Sequence, residues 1–211
     1  MNKILVSILF CVFAITINFS QTKQTTKSLA MTKKLETATL ANGCFWCTEA
    51  IFQRLKGVES VTSGYSGGTI KNPAYREVTT GRTGHAEAIE IQFNPSIISF
   101  QEILDVFFST HDPTTLNRQG YDIGTQYRSA VFYHSEAQKE VAETFIDALT
   151  KAEVFDNPIV TEVTKFEAFY KAEDYHQNYY NNNKNQGYCR AVINPKLEKF
   201  IKKYKDKLKE N

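Results

Sequence analysis

The stretch ATLANGCFWCTEAIFQRLKGV, residues 38–58, restricts the fold more than any other part of the chain. Residues 35–41 alternate like a strand, and Phe45, Ala50, Ile51, Leu55 and Val58 then recur at helical spacing, with Gly57 as the expected C-cap. A strand that turns at Gly43 directly into an apolar-faced helix must lay that helix on a sheet, which points to a layered domain. The same turn places Cys44 at a helix N-terminus, the chain's single tryptophan two residues on at Trp46, and a second cysteine at Cys47.

The rest of the chain extends this pattern. VESVTSGY, HAEAIEIQF, RSAVFYH and IVTEVTKF are strand-like. SFQEILDVFFSTH opens with Ser99 and Glu102 in capping-box register, and Ser135 with Gln138 starts a helix reaching about Lys151. AEDYHQNYYNNN begins helically and turns irregular, and PKLEKFIKKYKDKLKE reads as a terminal amphipathic helix. SGGTIKNPAYREVTTGRTG and DPTTLNRQGYDIGTQY are long segments without regular period, the kind that carries function in a compact domain. The order of strands and helices gives an α+β or mixed α/β domain of two layers.

Twenty-five Lys and Arg against twenty-three Asp and Glu leave a net charge of +2, too little for a nucleic-acid footprint. The basic run KKYKDKLKE reads as a solvated helix face. Residues 1–20 carry Lys3 and an apolar run from Ile4 to Phe19, shorter than the ~20 residues of a comfortable membrane span. They read as an export signal, or as an N-terminal anchor if uncleaved, since Asn18 spoils the small-residue pattern before Ser20. Cys11 falls within this run as a small hydrophobe. Residues 21–34 read as a disordered polar spacer and 35–211 as one catalytic domain. Without the leader, Cys44, Cys47 and Cys189 remain, an odd number that leaves at least one thiol free or exchanging.

Unpaired N–H groups and the positive end of a helix macrodipole favour a thiolate, so Cys44 is expected to be an activated nucleophile with a lowered pKa. Phe45 and Trp46 beside it are suited to enclosing an apolar fragment. In HAEAIEIQF the two-residue period sets Glu87 in the apolar row of Ile89, Ile91 and Phe93, where burial would keep its carboxyl protonated as a general acid. His85 is expected to be structural. Tyr75, Asp122 and Tyr127 stand in the two long loops, where their hydroxyls and carboxyl could hold an oxygen atom. Cys189, just past Gly187, is placed as a second thiol in a flexible region.

The ordered motifs GCFW, GYSGG, NPAYREV, TGHAEAI, HDPTTLNRQGYDIGTQYRSA and GYC, spread over about residues 37–193, closely resemble the A-type peptide methionine sulfoxide reductases. The resemblance implies a ferredoxin-like two-layer sandwich with long coil segments. It implies Cys44 as nucleophile, Phe45 and Trp46 as the pocket for the substrate methyl, Glu87 as the acid, and Tyr75, Asp122 and Tyr127 as groups holding the oxygen. It further implies Cys189 as resolving cysteine, methionine-S-sulfoxide, free or in oxidised proteins, as substrate, and a monomer without bound cofactor or metal. Thioredoxin or a periplasmic equivalent is the implied reductant, and a cell-envelope location follows if export is real. The family commonly has glycine where this chain has Cys47, which makes Cys47 a rival resolving thiol one helical turn from Cys44.

Two other readings use the same residues. A thiol–disulfide oxidoreductase also places Cys-x-x-Cys at a helix start, but leaves Glu87, Asp122 and the tyrosines without a task. A structural zinc site built on the three cysteines and a histidine lacks a second Cys-x-x-Cys or a histidine pair.

Overall fold

The structure is a computed structural model that describes residues 34–210; the apolar leader, Cys11 and nearly all of the polar spacer lie outside the described residues. In chain order the elements are β1 (Glu36–Asn42), α1 (Phe45–Phe52), β2 (Val58–Ser66), α2 (Tyr75–Val78), β3 (Ala86–Phe93) and α3 (Phe100–Ser109). Then follow β4 (Arg118–Gln119), β5 (Asp122–Ile123), β6 (Ser129–Tyr133), α4 (Glu136–Lys151), β7 (Glu162–Lys165), β8 (Phe169–Lys171), α5 (Tyr179–Asn182) and α6 (Asn194–Lys203). Strands and helices interleave around one mixed sheet of order β7-β6-β1-β3-β2-β8, antiparallel throughout except for the parallel β6–β7 pair.

The two-residue period of the strands divides the core. Leu40, Ile89, Ile91 and Val131 point into the larger apolar cluster with Phe45, Ile51 and Phe52 of α1, Ile103 and Phe107 of α3, and Leu197 and Phe200 of α6. The alternate residues Ala41, Ala86, Ala88, Ala130 and Phe132 meet Phe166 and Phe169 on the other face. Small side chains there let coil segments cover the sheet closely. Helix starts follow the capping signals: Ser99 Oγ accepts from the Glu102 N–H at 3.2 Å while Glu102 Oε2 accepts from the Ser99 N–H at 2.9 Å, a reciprocal cap worth about 1 kcal/mol. Ser135 Oγ caps α4 by accepting from the Gln138 N–H at 3.2 Å.

Two local expectations are corrected. α1 stops at Phe52 rather than near Gly57, because Arg54 and Leu55 bond back to Ile51 and Phe52 in tight turns that pull Leu55 into the core. Gly57, at φ +83°, instead turns the chain into β2. The terminal helix ends at Lys203 and a 3-10 turn at Lys205–Lys207 follows. There the basic run clamps the exit of α1: Lys56 N–H donates to the Lys207 carbonyl at 2.8 Å, Lys209 N–H to the Arg54 carbonyl at 2.9 Å, and Lys207 Nζ pairs with Glu102 at 2.6 Å. Residues 174–182 form a 3-10 turn and then the short α5, separated by Asn178 at φ +52°.

Candidate active site

Gly43, at φ +93°, carries the chain from β1 into α1, and a Cβ there would lie 2.7 Å from the Gln119 side chain. Glycine is therefore required both by conformation and by the β4–β5 ribbon packed against it. Cys44 is the N-cap of α1, and its carbonyl accepts from the N–H groups of Cys47 at 3.1 Å and Thr48 at 3.3 Å. Thr48 Oγ1 donates to Asn42 Oδ1 and to the same Cys44 carbonyl, which fixes the turn from inside.

Beneath this turn stands Glu87 of β3. Its side chain continues the apolar row, as the strand period requires, and its Oε2 accepts from the Phe45 N–H at 3.1 Å. Burial pushes the carboxyl up to about 8, with Asp122 and Cys47 adding in the same direction and the Phe45 N–H opposing. Glu87 is thus protonated at neutral pH.

Cys44, Trp46, Tyr75, Glu87, Asp122 and Tyr127 line one cavity of about 200 Å³, together with Phe45 and Tyr188. The Trp46 ring stacks on Tyr179 at 3.7 Å between centroids and 7° between planes, and its Nε1–H donates to His176 Nδ1 at 3.0 Å. His176, kept neutral by burial, also packs against Phe45 and Tyr75. Glu173 receives the Tyr75 N–H and the Tyr65 hydroxyl, each at 2.9 Å, and so anchors the loop carrying Tyr75. Burial, then Glu87, raises the Tyr75 phenol to about 12 and moves Tyr127 upward as well. Both hydroxyls are hydrogen-bond donors into the cavity at neutral pH.

The cysteines depart from expectation. Burial, the Cys47 sulfur and Glu87 hold the Cys44 thiol well above the usual range, opposite to the lowering that a helix N-terminus alone would give. Cys47 is lowered to about 7, because Cys44 hydrogen-bonds to it and Lys196 stands near. Cys47 is therefore the more readily ionised of the two. Cys189 begins a π-helical turn, Cys189–Ile193, rather than lying in irregular coil, with 0% exposure, and it lines neither of the cavities that Cys44 lines. Cys47 and Cys44 together line a second cavity of about 300 Å³. All three thiols are free. Among the described residues no group of three His, Cys, Asp or Glu side chains is arranged to hold a metal ion. His85 is structural, its ring bonded to the Gly68 N–H at 3.0 Å and the Ile70 carbonyl at 2.7 Å.

Three residues not anticipated from the sequence complete the site. Tyr188 lines both cavities, donates its hydroxyl to Asp122 Oδ2 at 2.9 Å and stands 3.9 Å from Cys47 Sγ. His176 orients Trp46, and Lys196 faces the Cys47 side. Only Tyr188 left a sequence signal, its place in GYC.

The family model described as peptide methionine sulfoxide reductase matches residues 36–209. A peptide methionine sulfoxide reductase MsrA of Sulfolobus acidocaldarius is 55% identical over 173 residues, covering 82% of this chain and 97% of that protein. The protein of the same name from Deinococcus radiodurans is 56% identical over 174 residues, covering 82% and 84%. Among solved structures, Mxr1 from Saccharomyces cerevisiae in its reduced form is 35% identical with a TM-score of 0.68, covering 74% of this chain and 90% of that one. Methionine sulfoxide reductase A of Corynebacterium diphtheriae is 35% identical with a TM-score of 0.64, covering 71% and 75%.

Proposed function

This chain belongs to the peptide methionine sulfoxide reductase family, oxidoreductases that reduce methionine sulfoxide, and from that premise we propose how its residues divide the work. The observation that carries the reading is the neutral Glu87 carboxyl held by the Phe45 N–H in the cavity that Cys44 lines. A sulfoxide sulfur is a poor electrophile until its oxygen is protonated, so an acid that stays protonated beside a thiol is what the reaction needs.

The substrate methyl sits against Phe45 and Trp46, and the oxygen lies toward Glu87, Tyr75 and Tyr127, with Asp122 held at the rim by Tyr188. Cys44 passes its proton to the Cys47 thiolate, which lines the same cavity, and attacks the sulfur while Glu87 protonates the oxygen. The oxygen leaves on Cys44 as a sulfenic acid and methionine is released. A cysteine thiol then condenses with the sulfenic acid, giving a disulfide and water. Shared lining of one cavity favours Cys47 as the first resolver, with Cys189, whose thiol is raised by burial and by the Cys47 sulfur, receiving the disulfide by exchange. A thioredoxin, or a periplasmic equivalent if the chain is exported, returns the pair to thiols.

Three different walls around a pyramidal sulfur make the site chiral, and the family resemblance assigns it the S epimer. The strand order β6-β1-β3-β2, with α1 and α3 in the connections, supports a ferredoxin-like description of the central unit. We assign residues 1–20 to export or anchoring in the cell envelope on their apolar run, and take the working unit to be a monomer. Turnover of the separate epimers with dithiothreitol, by the chain lacking residues 1–20, tests the whole reading. S-selective reduction that vanishes in Cys44→Ser supports it; disulfide exchange without reduction of either epimer favours a thiol–disulfide oxidoreductase.

A further inference from the structure

Cys44 is reached from two sides. The cavity with Trp46 and Glu87 lies on one, and the cavity of about 300 Å³ with Cys47, Tyr121 and Lys196 on the other. Tyr188 and Asp122 line both, so their 2.9 Å hydrogen bond stands between the two sides. The Cys47 side continues, through Gln119, Val192 and Lys196, into a groove of about 620 Å³ along α6.

One wall of that groove is basic. Lys196, Lys199 and Lys203 recur at i, i+3 and i+7, a single helix face. None of the three is in an ion pair among the described residues, whereas Lys207 just beyond is paired with Glu102. Asp112 and Asp156 stand on the facing wall, and Asp112 is occupied by the Thr114 N–H and hydroxyl. At the mouth of the Cys47 cavity Tyr121 is 97% exposed, an aromatic anchor with nothing over it.

We propose that the α6 groove and Tyr121 form the docking surface for the protein dithiol that regenerates the enzyme, its thiol loop entering the Cys47 cavity and acidic residues beside that loop lying along Lys199 and Lys203. This rests on the reductase reading above. The groove leads to Cys47 and not to Trp46 or Glu87, which favours the reductant over the oxidised substrate as its occupant. In the step it serves, a partner thiolate attacks the Cys47 sulfur of the Cys47–Cys189 disulfide left by that exchange, making a mixed disulfide and releasing Cys189 as a thiolate that takes up a proton. The partner's second thiol then attacks its own sulfur in the mixed disulfide, so the partner leaves oxidised and Cys47 leaves as a thiol. Two electrons and two protons pass to the enzyme.

The test uses Lys199→Glu with Lys203→Glu in the chain lacking residues 1–20, assayed with thioredoxin and separately with dithiothreitol. The proposal requires the KM for thioredoxin to rise at least about tenfold and to lose its salt dependence, while dithiothreitol-driven turnover and the KM for a methionine-S-sulfoxide peptide are unchanged. An unaltered KM for thioredoxin overturns it, as does the absence of thioredoxin-driven turnover in the unsubstituted chain. A raised KM for the peptide with dithiothreitol overturns it too and gives the groove to substrate. Should the double glutamate variant misfold, Lys199→Gln with Lys203→Gln is read by the same criteria. No turnover by the unsubstituted chain even with dithiothreitol is a separate result, against the reductase reading itself.

Discussion

The amide N–H of Phe45 donates to Glu87 Oε2 at 3.1 Å, so the peptide bond that follows Cys44 is tied directly to the acid of the site. Glu87 is reached by the strand period of β3 and Cys44 by the N-cap of α1. This single bond sets the distance between the two elements where chemistry occurs. It also leaves Oε1 to carry the proton.

Glu87 makes stability depend on pH in a defined direction. Its carboxyl titrates near 4.5 when unfolded and about 8 when folded, so between those values the native state binds one more proton and stability falls as pH rises. Above about 8 the loss is complete. Glu87→Gln removes this component, so urea unfolding will show the variant gaining on the parent from pH 5 to pH 8.5. A difference independent of pH contradicts the burial of a protonated acid.

Cys47 is expected to resolve first. In a single turnover without reductant, Cys189→Ser will form an intramolecular disulfide at close to the parent rate, while Cys47→Ser will accumulate the Cys44 sulfenic acid, as read by mass spectrometry after thiol blocking. Rapid disulfide formation in Cys47→Ser requires Cys189 to leave its buried turn unaided and refutes the order.

Charge on the cysteine pair is checked by alkylation. Iodoacetamide labelling of the reduced chain will titrate with a midpoint near 7, with Cys47 labelled first, because the first charge resides there. Cys47→Ser will move the midpoint of Cys44 labelling downward, because the neighbouring sulfur that raises it is gone. A Cys44 that labels first and with an unshifted midpoint places the thiolate on the helix-capping sulfur instead.

His176 acts on substrate through Trp46. His176→Phe deletes the acceptor for the indole N–H, leaving a partly buried donor unsatisfied at a cost of about 1–2 kcal/mol in stability, and the loosened Trp46 ring is expected to raise the KM for sulfoxide peptide. Trp46 emission will shift in parallel. Unchanged KM and emission separate His176 from substrate binding.

How much of this was legible in the sequence depended on how local the cause was. The β1–α1 turn, the caps at Ser99 and Ser135, and the place of Glu87 in its row follow from spacing, and Gly43 marks the entry to α1. Tyr188, His176 and Lys196 come from the C-terminal third, where only docking against α1 and the β4–β5 ribbon decides which side chains enter the site. The charge on Cys44 escaped for the same reason: the helix end is local, but the burial that outweighs it is tertiary. Cys189 lies two residues past Gly187, yet its turn is held by the core beneath it, which no neighbouring residue announces.

The central claim is that neutral Glu87 delivers the proton while Cys44 attacks, and the most direct measurement is the pH dependence of methionine release in a single turnover from a methionine-S-sulfoxide peptide. The parent rate should decline as pH passes about 8, where Glu87 loses its proton. Glu87→Gln should be slower by ~10²–10⁴-fold and show no such decline. A Gln variant that keeps the parent rate, or keeps the alkaline decline, would contradict the account.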